Sequence, residues 1–207
     1  MESQEKISNN KDTLTLDSLE SLVEHLGIQN WDAIVIGDGS GSTWQKPCGW
    51  AAVLIDKYSG VRKLSFGAAS PGTSIVSEIL PYLFALNWYT SKDGPGPLRL
   101  TEKRKKGKNL KVHVVSDSEI VVNCGNHPAS RKAYKALWAA MDFFANQGYA
   151  IQYHHVKRNV VGLNIVADAV AKYARLSTQN VWDEAAAALK KKYVSLPKSI
   201  TTYDFAK

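Results

Sequence analysis

The segment Ala33-Ile34-Val35-Ile36-Gly37-Asp38-Gly39-Ser40-Gly41 constrains the fold of this chain more than any other stretch. Its apolar run is far shorter than the roughly 20 residues that span a bilayer, and it fits a central β-strand buried on both faces. The run ends in an aspartate, and a Gly/Ser turn follows at once. That arrangement holds the Asp38 carboxylate just past a rigid strand end, fixed but reachable. Strand–Asp–Gly is by itself an ordinary turn signal. The weight given to Asp38 therefore depends on which other carboxylates converge with it.

Around this strand the elements fall into a recognisable order. Residues 49–56 and 61–69 read as second and third strands, with Tyr58-Ser59-Gly60 as a hairpin turn between them. Helical spacing follows over residues 73–89, with Glu78, Tyr82, Ala85 and Tyr89 on one face. Pro81 inside that stretch predicts a kink or a late helix start beside Glu78. A buried strand over 110–115 ends in Ser116-Asp117-Ser118. A helix over 130–146 carries Tyr134, Leu137, Trp138, Met141 and Phe144 or Ala145 on its apolar face, then come a strand over 150–156 and a helix over 164–174. The order β-β-β-α-β-α-β-α predicts an α/β fold: a five-stranded mixed sheet, three antiparallel strands then parallel ones, flanked by helices.

Extensions lie on either side. Residues 1–14 lack apolar periodicity and read as disordered. Leu16, Leu19, Leu22, Val23 and Leu26 then predict a short helix, capped by Asp17 or Ser18 and closed by Gly27. Asn180 caps one more predicted helix to Tyr193, and the tail around Pro197 reads as loose. The expected division is an extension over 1–30, a globular unit over 31–177 and a helix with tail over 178–207.

The formal charge of +7 is unevenly placed. Residues 91–109, with Gly94-Pro95-Gly96-Pro97 and the run Lys103, Arg104, Lys105, Lys106 and Lys108, read as an insertion loop, neither strand nor helix. Within 92–109 seven basic side chains stand against two acidic ones, whereas the first 30 residues hold six acidic and two basic. A concentrated basic segment on a balanced body suits a polyanionic partner, the plain alternative being a solvated loop. Cys48 and Cys124 are too few for a disulfide framework and share no zinc-type spacing with histidine. With a polar N-terminus and no membrane-length apolar run, the expectation is a cytoplasmic, reducing setting and no membrane partner.

Three further acids occupy settings like that of Asp38. If the first and fourth strands are parallel neighbours, Asp38 and Asp117 lie side by side. Glu78 comes from the helix after the meander, and Asp168 from the last helix, among alanines and valines that otherwise pack. Taken alone, Asp168 reads as a helix-surface acid paired with Lys172 four residues on. Clustered, the four would repel one another unless cations neutralised them. Ligands that are all oxygen suit Mg²⁺ or Mn²⁺ rather than zinc. Two such ions roughly 4 Å apart form a clamp for in-line phosphoryl chemistry.

Residues 31–175 resemble the ribonuclease H family. Asp38-Gly39-Ser40 is similar to the family's first-strand Asp-Gly-Ser, and Thr73-Ser74-Ile75-Val76-Ser77-Glu78 to its Thr-Asn-Asn-x-x-Glu helix start. Val114-Val115-Ser116-Asp117-Ser118 resembles its Asp-Ser strand end, and Asn164-x-x-Ala167-Asp168-x-x-Ala171 matches its last helix. The four acids follow in the family's order, spaced by 40, 39 and 51 residues.

The resemblance implies a ribonuclease H-like fold and a metal-dependent endonuclease. It would cut the RNA strand of RNA–DNA hybrids with two Mg²⁺ ions (Mn²⁺ as the alternative), leaving a 5′-phosphate and a 3′-hydroxyl. By the same resemblance Asp38 would be shared by both ions, Asp168 would serve the ion on the side of the attacking water, and Glu78 and Asp117 the ion on the leaving-group side.

The substrate grip departs from the family. Ser74 and Ile75 stand where hybrid readers carry two asparagines, Glu119 where they carry glutamine, and Asn159 where many carry a mobile histidine. His154 and His155 lie on the strand upstream. The candidate nucleic-acid contacts are the amides of Gly39, Ser40 and Gly41, with Ser74, Glu119, Asn159 and the basic segment; Trp44 and Trp88 are candidate stackers, with packing as the plainer role. The alternatives are the same chemistry on structured DNA or double-stranded RNA, and a non-catalytic nucleic-acid-binding module. A kinase-like protein is excluded, because no Gly-rich phosphate loop is followed by lysine.

Overall fold

In the computed structural model, which describes residues 18–41, 46–158, 160–177 and 201–202, the apolar run becomes strand β1, Ala33–Ser40. Every residue of it except Gly39 is buried. Strand β2, Lys46–Asp56, and β3, Arg62–Gly72, extend it as an antiparallel meander. Strands β4, Leu110–Ser116, and β5, Tyr149–His155, run parallel on its other side. The order β5-β4-β1-β2-β3 is the mixed sheet expected, with β1 at its centre. A two-residue strand β6, Thr201–Thr202, pairs with Ser65 and Phe66 at the β3 edge, while the tail around Pro197 lies outside the described residues. The helix expected from Asn180 lies outside the described residues.

Alternation along β1 assigns the two faces. Ala33 and Val35 pack with Ala52, Leu54, Val112 and Val114 beneath helices α2, Ser74–Thr90, and α5, Lys135–Asn146. Ile34 and Ile36 pack with Val53, Phe66 and Val115 against helix α6, Gly162–Ser177, and against Leu22 of α1, Leu19–His25. Ser18 is the cap of α1, its hydroxyl accepting from the Ser21 amide at 3.0 Å. No helix among the described residues is long and apolar enough to cross a membrane.

Three readings of the sequence need correction. The basic insertion is not a loop: Gly96–Lys105 forms helix α3. Pro97 falls in its first turn, where a missing N–H costs nothing, and Leu100 is buried beneath it. Helix α2 does not start late: Thr73 caps it by accepting from Val76 N at 3.2 Å, and it runs on through the buried Pro81. The helix expected from residue 130 begins at Lys135, because the chain turns first through a 3-10 segment and a left-handed Tyr134 (φ 55°). Tyr134 then meets Thr73, hydroxyl to hydroxyl, at 2.9 Å.

Helix α4, Glu119–Asn126, was not expected at all. Its β-branched residues, asparagines and glycine are weak helix formers, so tertiary contacts hold it. Gly125 lies where any Cβ would strike the Tyr153 ring, and the Asn126 amide group hydrogen-bonds both the carbonyl (2.9 Å) and the N–H (3.3 Å) of Tyr153. A side chain thus stands in for a neighbouring strand along edge strand β5.

Candidate active site

Glycine decides how closely α2 approaches β1. A Cβ on Gly37 would lie 2.7 Å from the Pro81 side chain, one on Gly39 2.4 Å from the Ser77 carbonyl carbon, and one on Gly41 2.8 Å from Ser74 Cα. Three glycines at alternate positions let the helix rest directly on the strand backbone. Glu78 is thereby carried to the end of β1 beside Asp38. Parallel pairing between β1 and β4 ends at Ile36 opposite Val115. Two residues further along each strand, Asp38 and Asp117 lie level with each other. Where the ladder opens, the buried Tyr82 hydroxyl sits 2.8 Å from the Gly37 carbonyl and 3.1 Å from that of Val115, closing the gap beneath the acids.

One carboxylate oxygen from each of Asp38, Glu78 and Asp117 lies within 4.8 Å of the others. Asp38 is 1% exposed, and only one of its oxygens is satisfied, accepting from Gly39 N at 2.8 Å. The remaining Asp38 oxygen, one Glu78 oxygen and one Asp117 oxygen are buried without a hydrogen-bond partner. Such groups are costly, since each has lost water and gained nothing. Burial, reinforced by the charges of Glu78, Asp117 and Asp168, raises the Asp38 carboxyl to about 8. Burial first and Asp117 second raise Glu78 to about 8 as well. Asp38 and Glu78 therefore hold protons near neutral pH in the places where a cation would sit.

Asp168, on α6, lies outside this group of three. Its charge reaches Asp38 and Glu78, but its own carboxylate is turned to Lys172 at 2.6 Å, the i,i+4 pair that the sequence also suggested. Asp117 has a cationic partner too, Arg158 Nε at 3.0 Å. Arg158 was missed in the sequence, where the family pattern points to its neighbour Asn159, a residue outside the described set. Tyr82 was placed on the Glu78 face by its i+4 spacing, but its bridge between two strands had no signal.

The candidate substrate contacts divide by position. Gly39, Ser40 and Gly41 continue β1 past Asp38, and Ser74 is exposed at the first turn of α2. Ile75 packs against the core, and Glu119 is exposed at the start of α4. His155 is exposed with Nε2 3.3 Å from the Asp117 carbonyl, whereas His154 is paired with His113 at 2.8 Å. Trp88 is half-buried with Lys63 over its ring, and Trp44 lies outside the described residues. Lys103, Arg104, Lys105, Lys106 and Lys108 sit at the opposite end of the sheet. Lys103 binds Asp32, which precedes β1, so about 20 Å of strand separates it from Asp38 at ~3.3 Å per residue.

The donor set is all oxygen, partly unsatisfied and buried at a strand end, which fits hard divalent cations such as Mg²⁺ or Mn²⁺ and fits zinc poorly. No family model matches the sequence, and no curated protein does. Solved structures do. An RNase H1 isolated from compost by metagenomics superposes with a TM-score of 0.54 at 20% identity, covering 72% of this chain and 99% of that one. The same enzyme in complex with an RNA/DNA hybrid gives 0.53 at 19%, with the same coverage. The N-terminal RNase H domain of a Mycobacterium tuberculosis protein gives 0.50 at 21%, covering 77% and 99%. The chain has the ribonuclease H fold.

Proposed function

We propose that this ribonuclease H fold carries a metal-dependent endonuclease that hydrolyses the RNA strand of RNA–DNA hybrids. The observation that carries the proposal is the trio of buried, unpartnered carboxylate oxygens on Asp38, Glu78 and Asp117, brought together from two strand ends and a helix. A fold that needed only stability would have paired or replaced them. That a similar structure holds an RNA/DNA hybrid supports the choice of substrate.

Asp38, Glu78, Asp117 and Asp168 would hold two Mg²⁺ ions, with Mn²⁺ as the alternative. When bound, such ions supply a nucleophile at neutral pH and neutralise charge on the transferring phosphoryl group. The chain's own residues do the rest. Asp38, central and fixed by the Gly39 amide, gives the site its reference point. Gly39 and Gly41 seat α2 against the strand end, and a sugar-phosphate chain would meet the backbone of residues 39–41 beside Asp38 from the side that the helix leaves free. Ser74 offers a hydroxyl and the first-turn N–H groups of α2 beside them. Arg158 pairs with Asp117 at 3.0 Å and so offsets one of the clustered charges. The working unit would be residues 31–177, with 1–30 and 178–207 as extensions.

Purified protein in Mg²⁺ should cut a labelled RNA–DNA hybrid to 5′-phosphate ends, and EDTA should stop it. Asp117→Asn should lower the rate by about 10³-fold or more, roughly 4 kcal/mol of transition-state stabilisation. Intact hybrid beside degraded double-stranded RNA or structured DNA would overturn the hybrid assignment. One observation favours that second reading: Ile75, which stands where hybrid readers carry an asparagine, packs inward and leaves Ser74 alone at the helix start.

A further inference from the structure

The basic helix α3 is far from the acid cluster, and what surrounds it is a built surface. Its last turn is fixed by Asp32, whose side chain is only 2% exposed and accepts from Lys103 Nζ at 2.7 Å. The same carboxylate accepts from the Tyr58 hydroxyl and the Lys111 amide, both at 2.8 Å. One buried acid therefore joins the helix, the β2–β3 turn and the start of β4. Between them lies a cleft of about 490 Å³ lined by Trp31, Lys57, Tyr58, Lys103, Lys108 and Lys111 among others.

Its charge is one-sided. Four lysines line the cleft against one carboxylate, Asp32, which is already engaged by Lys103. Lys57, Lys108 and Lys111 are exposed and form no ion pair among the described residues. Like charges held this close lower stability unless an anion joins them. The rings add a second kind of contact. Tyr58 is 48% exposed yet anchored by its hydroxyl, and Trp31 is half-buried. Lys57 lies 5.2 Å from the Trp31 centroid and Arg99 4.8 Å from that of Tyr58, so ring and cation stand side by side. Amides of Asn30 and Asn109 complete the rim.

We infer that this cleft is a second nucleic-acid site, for a single strand, at the end of the sheet opposite the acids. Ammonium groups meet phosphates, and the rings take unpaired bases. A duplex, roughly 20 Å across, could touch the rim but could not offer a base face to Trp31 or Tyr58. Acidic peptides would use the lysines and leave the rings idle.

The test is anisotropy of fluorescein-labelled oligo-dT of twelve nucleotides with the full chain across a salt series in EDTA. Cutting plays no part under those conditions, so this result and that of the nuclease assay are independent. Lys57→Ala/Lys108→Ala/Lys111→Ala should weaken binding at least tenfold and reduce the log–log salt slope by about 2, at ~0.7 for each phosphate no longer neutralised. Trp31→Leu, checked by its melting curve, should weaken oligo-dT about fivefold while leaving the slope unchanged. The triple Lys→Arg variant should bind like wild type. Wild-type affinity and slope in the Lys→Ala variant would overturn the site. Equal competition by polyglutamate, or a twelve-base-pair duplex weakened as much as oligo-dT, would overturn its assignment to single strands.

Discussion

Asp32 and Asp38 stand six residues apart at the two ends of β1, both 1% exposed, and the chain treats them in opposite ways. Around Asp32 every oxygen has a partner: Lys103 and the Tyr58 hydroxyl on one, the Lys111 amide on the other. Burial alone would raise its carboxyl, but those hydrogen bonds outweigh burial and hold it below the ordinary range. At Asp38 one oxygen has the Gly39 amide and the other has nothing, while acids crowd it instead of bases. One aspartate is a structural fastener whose needs are met within the fold. The other keeps one buried oxygen with no partner among the described residues, the place that the proposed function gives to a cation.

The two aspartates should differ most in what they contribute to stability. Asp32→Ala strands the Lys103 ammonium, the Tyr58 hydroxyl and the Lys111 N–H together, and should cost about 3 kcal/mol. Above about pH 8, where Asp38 ionises beside its neighbours, Asp38→Asn removes a repelled charge and should be neutral or stabilising in the absence of metal. Urea unfolding of the two variants in EDTA measures both. If Asp38→Asn costs as much as Asp32→Ala, the two ends are not different in kind.

Much of the acid end was legible in the sequence, because strand-end aspartates and a helix glutamate follow from local pattern and order. Asp38 beside Asp117 required only that their strands be parallel neighbours, and they are. The basic end was not legible. Asp32 carries no signal of its own ahead of the strand, and α3 was hidden by a Gly-Pro-Gly-Pro run that starts a helix rather than breaking one. Its placement depends on a pairing between residues 32 and 103 that no periodicity encodes. Arg158 and α4 were missed for the same reason, since a long-range partner, not local propensity, puts them where they are.

The next test is pH. Above about pH 4 the unfolded chain gives up the protons of Asp38 and Glu78, whereas the metal-free folded chain keeps them to about 8. The folded state then binds more protons, so stability falls as pH rises through that window. Asp32 acts in the reverse sense: its contribution is present above the ordinary carboxylate range and is lost as pH falls below it. Between pH 5 and 8 wild type should lose on the order of 2 kcal/mol more than Asp38→Asn, because the other titrating groups cancel in the comparison. Adding Mg²⁺ should recover more stability at pH 8 than at pH 6. Parallel curves for the two proteins would show that Asp38 does not hold a proton there.

The smallest expected effect separates two ion pairs of nearly equal length. Lys103 meets Asp32 at 2.7 Å and Lys172 meets Asp168 at 2.6 Å, so distance cannot rank them. Solvent can. The Asp32 side chain is 2% exposed, whereas Asp168 is 24% and Lys172 55% exposed. Water and salt screen the second pair, and an exposed i,i+4 contact contributes only about 0.3–0.5 kcal/mol. Lys172→Ala should therefore shift the urea midpoint barely at all, and 1 M NaCl should erase even that difference. The lightness of this pair matters for the proposed function, in which Asp168 would have to leave Lys172 to join the other three acids. A loss above about 1 kcal/mol that persists in high salt would mean that Lys172 belongs to a desolvated network like that of Lys103. Asp168 would then be a second fastener rather than a ligand in waiting.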